Sequence, residues 1–297
     1  MQRPSEAIDT IKHPAVLAAR QALGQVGRQG ATAFLADGLR LVTQAVRSPA
    51  TVETVFFLHP LVGPEEQALL GRAQKSGLAC HMVRKGVFFR MLGLGYETSV
   101  GVLAVVKRPV TADVARVARG DVCVLVGEQI QDPRNVGVLV RTADAWETVC
   151  AVFTSDSADP YSRAAVRSST SSIFRMPLAI VSDLPACLRQ LKANSLRIIG
   201  TSAHAEMPCW DANLSAPCAI VLGNESVGLS ESVRRACDEM VTVPMHGGAE
   251  SLNVTVAGGI LLYERARQRA SDHGGASHKG RASGGRDRGS CALESSD

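Results

Sequence analysis

The stretch DVCVLVGEQIQDPRNVGVLVRTADAW, residues 121–146, indicates the fold class of this chain. Its opening run, DVCVLVGE, is apolar and β-branched and predicts a buried strand, whereas VGVLVRTADAW has the spacing of a helix. Similar strand patterns recur downstream, at TVCAVFTS, LRIIGTSA, CAIVLGNE and VTVP. Because these strands alternate with helical patterns, we predict an α/β fold over residues 119–270, with a parallel sheet covered on both faces.

Two further helical patterns lie in this part of the chain. PYSRAAVRSSTSSIF, residues 160–174, predicts one continuous helix, and SLNVTVAGGILLYERARQR, residues 251–269, predicts a long final helix. From residue 271 the sequence is rich in glycine, serine and charged residues, so we expect a disordered tail over residues 271–297.

The first part of the chain predicts a separate, smaller α/β domain over residues 1–108. It opens with a helical pattern at residues 14–29 and closes with the strand pattern VGVLAVVKRP, which ends at a proline. Strand and helix patterns alternate between these two segments. The chain thus divides into an N-terminal domain, a larger parallel α/β domain and a tail.

The composition excludes several classes of protein. With 45% hydrophobic and 20% charged residues, the chain is typical of a globular protein with a packed core. It contains no apolar run of membrane-spanning length, and its first residues lack the apolar core of a secretory signal. Its eight cysteines are scattered without a C-x-x-C pair, so we expect neither a metal site nor a disulfide scaffold, and a cytoplasmic location.

The net charge of +4 is unevenly distributed. Residues 1–110 hold 13 Lys and Arg against 7 Asp and Glu, a net charge of +6, whereas residues 111–270 hold 15 against 17, a net charge of −2. This asymmetry indicates either a polyanion-binding segment joined to a near-neutral catalytic part, or a chance excess of a few charges.

Three loops after predicted strands carry the polar residues that could perform chemistry, because ligands of parallel sheets bind beyond the carboxyl ends of the strands. The first loop leads into a helix with Asn135 near its start and Arg141 further along. The second, LGNESVGLS, contains Glu225, and the third, PMHGGAESLNV, places Ser251 and Asn253 at a helix start. Taken singly, each loop also has a structural explanation as a helix cap or a solvated turn.

The common nucleotide and hydrolase motifs are absent from the sequence. No G-x-G-x-x-G follows a strand, and there is no P-loop, H-E-x-x-H or G-x-S-x-G motif. Dinucleotide redox chemistry, P-loop hydrolysis, zinc proteolysis and α/β-hydrolase chemistry therefore lack their main sequence support.

Together and in this order, the three loops resemble the motifs of the SpoU family of RNA ribose 2′-O-methyltransferases, in the SPOUT class. The first motif is matched by DPRNVGVLVRTAD, the second by IVLGNESVGLS and the third by PMHGGAESLNV. Between the first two, VRSSTSSIFRMP also resembles the family, which often has glycine where Ser171 stands here. The segments ADGLRLVTQAV and VGVLAVVKRP resemble an L30-like substrate-binding domain that many members carry.

The resemblance implies a parallel sheet whose C-terminal segment forms a trefoil knot around S-adenosylmethionine. The family positions that hold this cofactor correspond here to Thr201, Gly223, Val243 and Leu252. It also implies a homodimer with the long final helix in its interface, and a reaction that needs no metal.

The resemblance further implies the catalytic residues, which correspond to Asn135, Arg141, Glu225, Ser251 and Asn253. In the family the first-motif arginine is the proposed activator of the ribose 2′-hydroxyl. Arginine hardly ever gives up its proton, so we expect Arg141 to hold the ribose and phosphate and to stabilise the developing alkoxide. Asn135 would orient Arg141 or the ribose, and Glu225 would fix the loops.

Arg163 and Arg167 lie four residues apart on a predicted helix face and are candidates for phosphate contacts, or else belong to a solvated face. We expect the substrate to be ribosomal RNA, since the L30-like domain is commoner in members that act on it. Transfer RNA and a non-catalytic RNA-binding role are the alternatives. An oxidoreductase on the same strand pattern would need a phosphate loop that the sequence lacks.

Overall fold

The structure is a computed structural model that describes residues 7–24, 32–61, 63–92 and 100–272. Its helices are α1 (Pro14–Gly24), α2 (Leu39–Arg47), α3 (Pro64–Lys75), α4 (Lys85–Leu92), α5 (Val114–Val117), α6 (Pro133–Ala145), α7 (Arg163–Ser168), α8 (Leu184–Ala193), α9 (Glu231–Ala236) and α10 (Val254–Asp272). Its strands are β1 (Ala33–Asp37), β2 (Val52–His59), β3 (Ala79–Arg84), β4 (Val102–Lys107), β5 (Cys123–Gly127), β6 (Cys150–Thr154), β7 (Leu178–Val181), β8 (Arg197–Thr201), β9 (Met207–Pro208), β10 (Cys218–Leu222) and β11 (Glu239–Thr242).

The first sheet has four strands in the order β1-β4-β2-β3. Strand β4 is antiparallel to both β1 and β2, and β3 is parallel to β2. Strand β1 is buried along its whole length because elements pack on both of its faces. One face of this sheet packs with α1 and α4 around Phe56 and Phe88.

The second sheet has seven parallel strands in the order β7-β6-β5-β10-β8-β11-β9. Strands β5, β6 and β10 are buried at every position, which explains their continuous apolar sequences. Leu125 and Ile220 face a core on one side of the sheet, and Val124 and Val221 face a core on the other. The predicted parallel α/β fold is confirmed.

The predicted helix at residues 160–174 is wrong as one element. Helix α7 ends at Ser168, and Thr170 and Ser171 then adopt positive φ angles of 47° and 91° before a 3₁₀ turn at Ser172–Phe174. A left-handed residue cannot continue a right-handed helix, so the chain turns here. The short strands β7 and β9, of four and two residues, were not predicted from the sequence.

The structure describes only part of the segments predicted near the two ends of the chain. Helix α10 begins after Asn253 instead of at Ser251, and it continues to Asp272. The predicted tail lies, from residue 273 on, outside the described residues, as does the end of the helix predicted at 14–29. The domain boundaries and the trefoil knot stay predictions. Within the described ranges, none of the helices combines the length and the apolar character that a membrane crossing requires.

Candidate active site

The three motif loops meet at the carboxyl edge of the second sheet. The first follows β5 and the second follows β10, and these two strands are hydrogen-bonded neighbours in the sheet. The third follows β11, which is separated from β10 only by β8. Because all these strands run in parallel, loops far apart in sequence arrive at the same edge.

Glu225 links the second loop to the first. One of its carboxylate oxygens, Oε1, accepts a hydrogen bond from Asn135 Nδ2 at 2.9 Å, and Oε2 accepts one from the backbone N–H of Gln131 at 3.3 Å. These contacts fix the amide orientation of Asn135, because its nitrogen faces the carboxylate.

Asn253 links the third loop to the first. Its Nδ2 donates to Asn135 Oδ1 at 3.3 Å, while its Oδ1 accepts from the backbone N–H and the hydroxyl of Thr255 at 2.8 and 2.6 Å. Asn253 therefore caps the start of α10 and at the same time contacts the first loop. Glu225, Asn135 and Asn253 form a continuous hydrogen-bonded chain across all three loops.

Arg141 lies six residues after Asn135 on α6. Its side chain is exposed and makes no hydrogen bond or ion pair with any residue in the described part of the chain. A guanidinium with all five N–H donors available is suited to bind a phosphate or a developing oxyanion. The structure thus brings Asn135, Glu225 and Asn253 into contact and leaves Arg141 free on the same helix.

Gly223 and Asn224 shape the second loop. A Cβ atom on Gly223 would lie 2.5 Å from the backbone nitrogen of Leu229, so only glycine lets the loop close. Asn224 pairs with Gly228 through the backbone, and its Nδ2 donates to the Gln129 carbonyl at 2.8 Å. Its Oδ1 accepts two further backbone N–H groups within the loop. Asn224 is therefore a positioning residue; the sequence marked it as a polar member of the second motif loop, and it was not among the predicted catalytic residues.

The second sheet also contributes Glu128, a residue that the sequence analysis missed. This carboxylate is 6% exposed and accepts hydrogen bonds from the backbone N–H and the hydroxyl of Ser230, at 2.9 and 2.6 Å. It ties the end of β5 to the start of α9. A glutamate in a loop is usually solvated, so its sequence carried no signal for this role.

The cofactor candidates surround the same edge. Thr201 ends β8 and its hydroxyl donates to the Val221 carbonyl at 3.0 Å, while Val243 and Leu252 flank the third loop and are half-buried. The segment that follows Val243, residues 244–252, forms no hydrogen bond with the other described residues. This segment includes the predicted catalytic residue Ser251. The backbone N–H and C=O groups of this segment are open to a ligand, and they fit S-adenosylmethionine, which the family resemblance implies is held mostly by backbone groups.

Arg163 and Arg167 lie on α7 and take no part in the hydrogen-bonded chain of Glu225, Asn135 and Asn253. Both donate to Asp37 Oδ2 at the end of β1, from Nε of Arg163 at 2.9 Å and from Nη1 of Arg167 at 3.3 Å. Their contact with RNA stays a prediction.

The cysteines do not form part of this site. The seven in the described ranges are free, and most are buried. Burial raises the pKa of the Cys150 thiol to about 12 and that of Cys187 to about 11. Thiols with such pKa values stay protonated at neutral pH and are poor nucleophiles. Among the described residues, no group of His, Cys, Asp and Glu side chains is arranged to hold a metal ion.

The chain is similar in sequence to proteins of known activity. The model of the SpoU rRNA methylase family matches residues 122–263. The chain is 30% identical over 230 residues to the 23S rRNA (guanosine(2553)-2′-O)-methyltransferase RlmP of Bacillus subtilis, covering 77% of this chain and 87% of that protein. It is also 30% identical over 251 residues to the 23S rRNA (uridine(2479)-2′-O)-methyltransferase of Streptomyces viridochromogenes, covering 82% and 86%.

A solved structure extends the similarity to the fold. The SpoU methyltransferase AviRb from Streptomyces viridochromogenes, in complex with the cofactor AdoMet, superposes with a TM-score of 0.74 at 27% identity. The match covers 86% of this chain and 99% of AviRb, and so it includes both sheets.

Proposed function

This chain belongs to the SpoU rRNA methylase family, and we therefore propose that it transfers a methyl group from S-adenosylmethionine to a ribose 2′-hydroxyl of ribosomal RNA. The observation that carries the proposal is the hydrogen-bonded chain from Glu225 through Asn135 to Asn253, next to the free guanidinium of Arg141. It joins the three motif loops at the edge of the sheet where ligands bind.

When bound, S-adenosylmethionine supplies an electrophilic methyl group on its sulfonium. The residues that would hold it are Thr201, Gly223, Val243 and Leu252, which border the unpaired backbone of residues 244–252. The proposed reaction needs no metal ion. The remaining task of the protein is to place the 2′-hydroxyl and to stabilise its charge.

Arg141 performs that task in our proposal. Its guanidinium donates hydrogen bonds to the ribose 2′-oxygen and to the adjacent phosphate, and so it stabilises the alkoxide as the hydroxyl loses its proton. An arginine hardly ever gives up its proton, so Arg141 is not the base: the proton of the 2′-hydroxyl passes to an adjacent phosphate oxygen of the RNA or to another basic group. Asn135, held by Glu225, orients the ribose, and Ser251 and Asn253 shape the pocket around it.

We also propose that the protein is a homodimer that assembles through α10. Val256 and Tyr263 on this helix are 48% and 55% exposed, and the neighbouring Trp146 is 38% exposed. The rings of Trp146 and Tyr263 meet edge to face, with centroids 5.8 Å apart. Adjacent exposed aromatic and aliphatic side chains are typical of a surface that a second subunit covers.

Residues 1–108 would bind the RNA, in keeping with their excess of positive charge. The larger part, residues 119–270, would perform methyl transfer in the cytoplasm, where ribosomal RNA is found. This division also accounts for the charge asymmetry between the two parts of the chain.

The experiment that tests the proposal uses the full chain, S-adenosylmethionine with a labelled methyl group, and unmodified 23S rRNA transcript. We expect label in the RNA and one new primer-extension stop that marks a 2′-O-methylated ribose. A parallel reaction with transfer RNA tests the alternative: label in transfer RNA and none in 23S rRNA would favour a transfer RNA methyltransferase. Binding of RNA without binding of S-adenosylmethionine would identify a non-catalytic relative instead.

A further inference from the structure

The two sheets meet at a packed junction. Phe34 on β1 contacts Tyr161 and Phe174, with ring centroids 5.0 and 6.2 Å apart. The Arg108 guanidinium lies 4.4 Å from the centroid of the Tyr161 ring and also pairs with Asp159. The aromatic packing holds β1, and the cation–π contact holds the residue that follows β4, against the segment around α7.

A buried carboxylate lies within this junction. The side chain of Asp37 has no exposed surface, and its Oδ2 accepts hydrogen bonds from both Arg163 and Arg167. Its other oxygen, Oδ1, is buried and has no hydrogen-bond partner in the described structure. A buried charge of this kind persists only when it is paired, so Asp37 depends on the two arginines.

The two arginines differ in how much of the guanidinium group stays available for contacts other than Asp37. Arg163 is 30% exposed and binds Asp37 through both Nε and Nη2. Arg167 is 57% exposed and donates to Asp37 through Nη1 alone, over 3.3 Å. Arg163 therefore compensates most of the Asp37 charge, and the rest of the Arg167 guanidinium faces outward.

Arg167 faces a cavity of about 460 Å³ between the two parts of the chain. This volume is in the range of small-molecule sites. The cavity is lined from one side by Arg40 and Gln44 of α2, and from the other by Arg167, Thr170 and Ser171. Arg40 and Gln44 are exposed, and Arg40 forms no ion pair with the described residues.

The wall of this cavity is braced against the helix of Arg141. Thr170 and Ser171 keep their positive φ angles because the next residue is held in place: the Ser172 hydroxyl donates to Asp144 Oδ2 at 2.7 Å. Asp144 lies three residues after Arg141 on α6, which connects the cavity wall to the candidate active site.

We propose that this cavity binds one phosphodiester group of the substrate RNA, with Arg40 and Arg167 as its ligands and Asp37 as the residue that positions Arg167. The inference rests on the proposed function and adds a subsite to it that is built from both parts of the chain. A phosphate is the suitable ligand because the guanidinium groups of Arg40 and Arg167 both line the cavity, while the Asp37 carboxylate that also lines it is paired with two arginines through Oδ2.

The test measures the affinity of the full-length protein for 23S rRNA transcript at several salt concentrations. Arg40→Ala and Arg167→Ala should each weaken binding about tenfold, the loss expected for a charge-assisted contact. The double variant should lower the slope of log Kd against log salt by about one, since one phosphate contact is lost. The control is Arg189→Ala, which removes an exposed arginine on α8 and should leave both quantities unchanged.

For Asp37, general electrostatic attraction and a positioning role predict opposite changes in RNA affinity. Asp37→Asn adds a net positive charge, so simple attraction predicts tighter RNA binding, whereas loss of Arg167 positioning predicts weaker binding. We expect weaker binding, with S-adenosylmethionine affinity unchanged as evidence that the variant is folded. The subsite would be overturned if the Asp37→Asn variant bound RNA more tightly than the wild type. It would also be overturned if the Arg40→Ala variant had wild-type RNA affinity and a wild-type salt slope.

The proposed function is tested separately in the same series. If the wild-type protein methylates the transcript and the Arg40→Ala variant binds RNA like the wild type, only the subsite is rejected. If the wild-type protein neither binds S-adenosylmethionine nor transfers a methyl group, the proposed function itself is rejected.

Discussion

At the scale of single residues, the candidate site depends on which polar groups are paired and which are free. Asn135 uses both ends of its amide, one toward Glu225 and one toward Asn253. Arg141 has no partner among the described residues. Pairing makes Asn135 a rigid part of the site, and the absence of pairing leaves Arg141 available to substrate.

Arg141→Ala should abolish methyl transfer and leave S-adenosylmethionine binding nearly intact. We expect kcat to fall by at least about 100-fold, because a charge-stabilising donor is removed from the transition state. Isothermal titration with the cofactor and a methyl-transfer assay measure the two effects. If both activities disappear together, Arg141 is structural and its proposed role is wrong.

Gly223→Ala should prevent cofactor binding. The added methyl group would lie 2.5 Å from the Leu229 nitrogen, and backbone cannot move aside as a flexible side chain does. Titration with S-adenosylmethionine measures the loss. Gly71→Ala is the matched control, because a Cβ there meets no atom within 4 Å, and it should bind cofactor like the wild type.

At the scale of helices and strands, glycines set how closely the elements pack. A Cβ on Gly137 would lie 2.7 Å from Ser168 Cβ, so glycine allows α6 to cross α7 at close range. A Cβ on Gly258 would lie 2.9 Å from Leu222 Cδ1, so glycine also lets α10 approach the end of β10. The close packing of α6 and α10 at these two positions offsets the cost of glycine in a helix.

Tyr263→Arg should convert the proposed dimer into a monomer. A charged side chain in the middle of an apolar interface would lose its hydration without gaining a partner. Analytical ultracentrifugation of the wild type and the variant measures the change. Val110→Arg is the control, since Val110 is 95% exposed and lies outside α10. A wild-type protein that sediments as a monomer at micromolar concentration would contradict the proposed assembly.

At the scale of the whole molecule, the two sheets form one packed unit through the junction of Phe34, Tyr161 and Phe174. The core on the other face of the first sheet, which contains Phe34 and Phe57, is continuous with one of the cores of the second sheet. The buried Asp37 adds a charged contact that both parts must satisfy. The N-terminal part therefore helps to position α7 and the cavity beside it, in addition to its proposed contact with RNA.

Arg163→Ala should destabilise the folded chain by about 2 kcal/mol, because the buried Asp37 keeps only its weaker partner. Urea unfolding measures the change in the free energy of unfolding. Arg235→Ala serves as the control. Arg235 forms an ion pair with Glu231 in which the two side chains are 78% and 69% exposed, and such surface pairs contribute little to stability. Equal stability of the two variants would show that Asp37 does not depend on Arg163.

Local sequence determined much of the architecture. The strands of the second sheet could be predicted because they are buried on both faces, which requires continuous apolar sequence. The long α10 and the order of the three motifs were also evident in the sequence. The break after Ser168 was not, since Thr170 and Ser171 are residues that seldom adopt positive φ, and the contact that holds the turn comes from Asp144.

What the sequence by itself determined is the class of fold, the family and the set of polar residues that its motifs bring to one edge of a parallel sheet. Only the tertiary structure decided which of these residues touch. Asn135 meets Glu225 across 90 positions and Asn253 across 118, and Arg163 meets Asp37 across 126. Contacts over such separations depend on strand order and on how the two sheets pack, and periodicity along the chain reports only local structure.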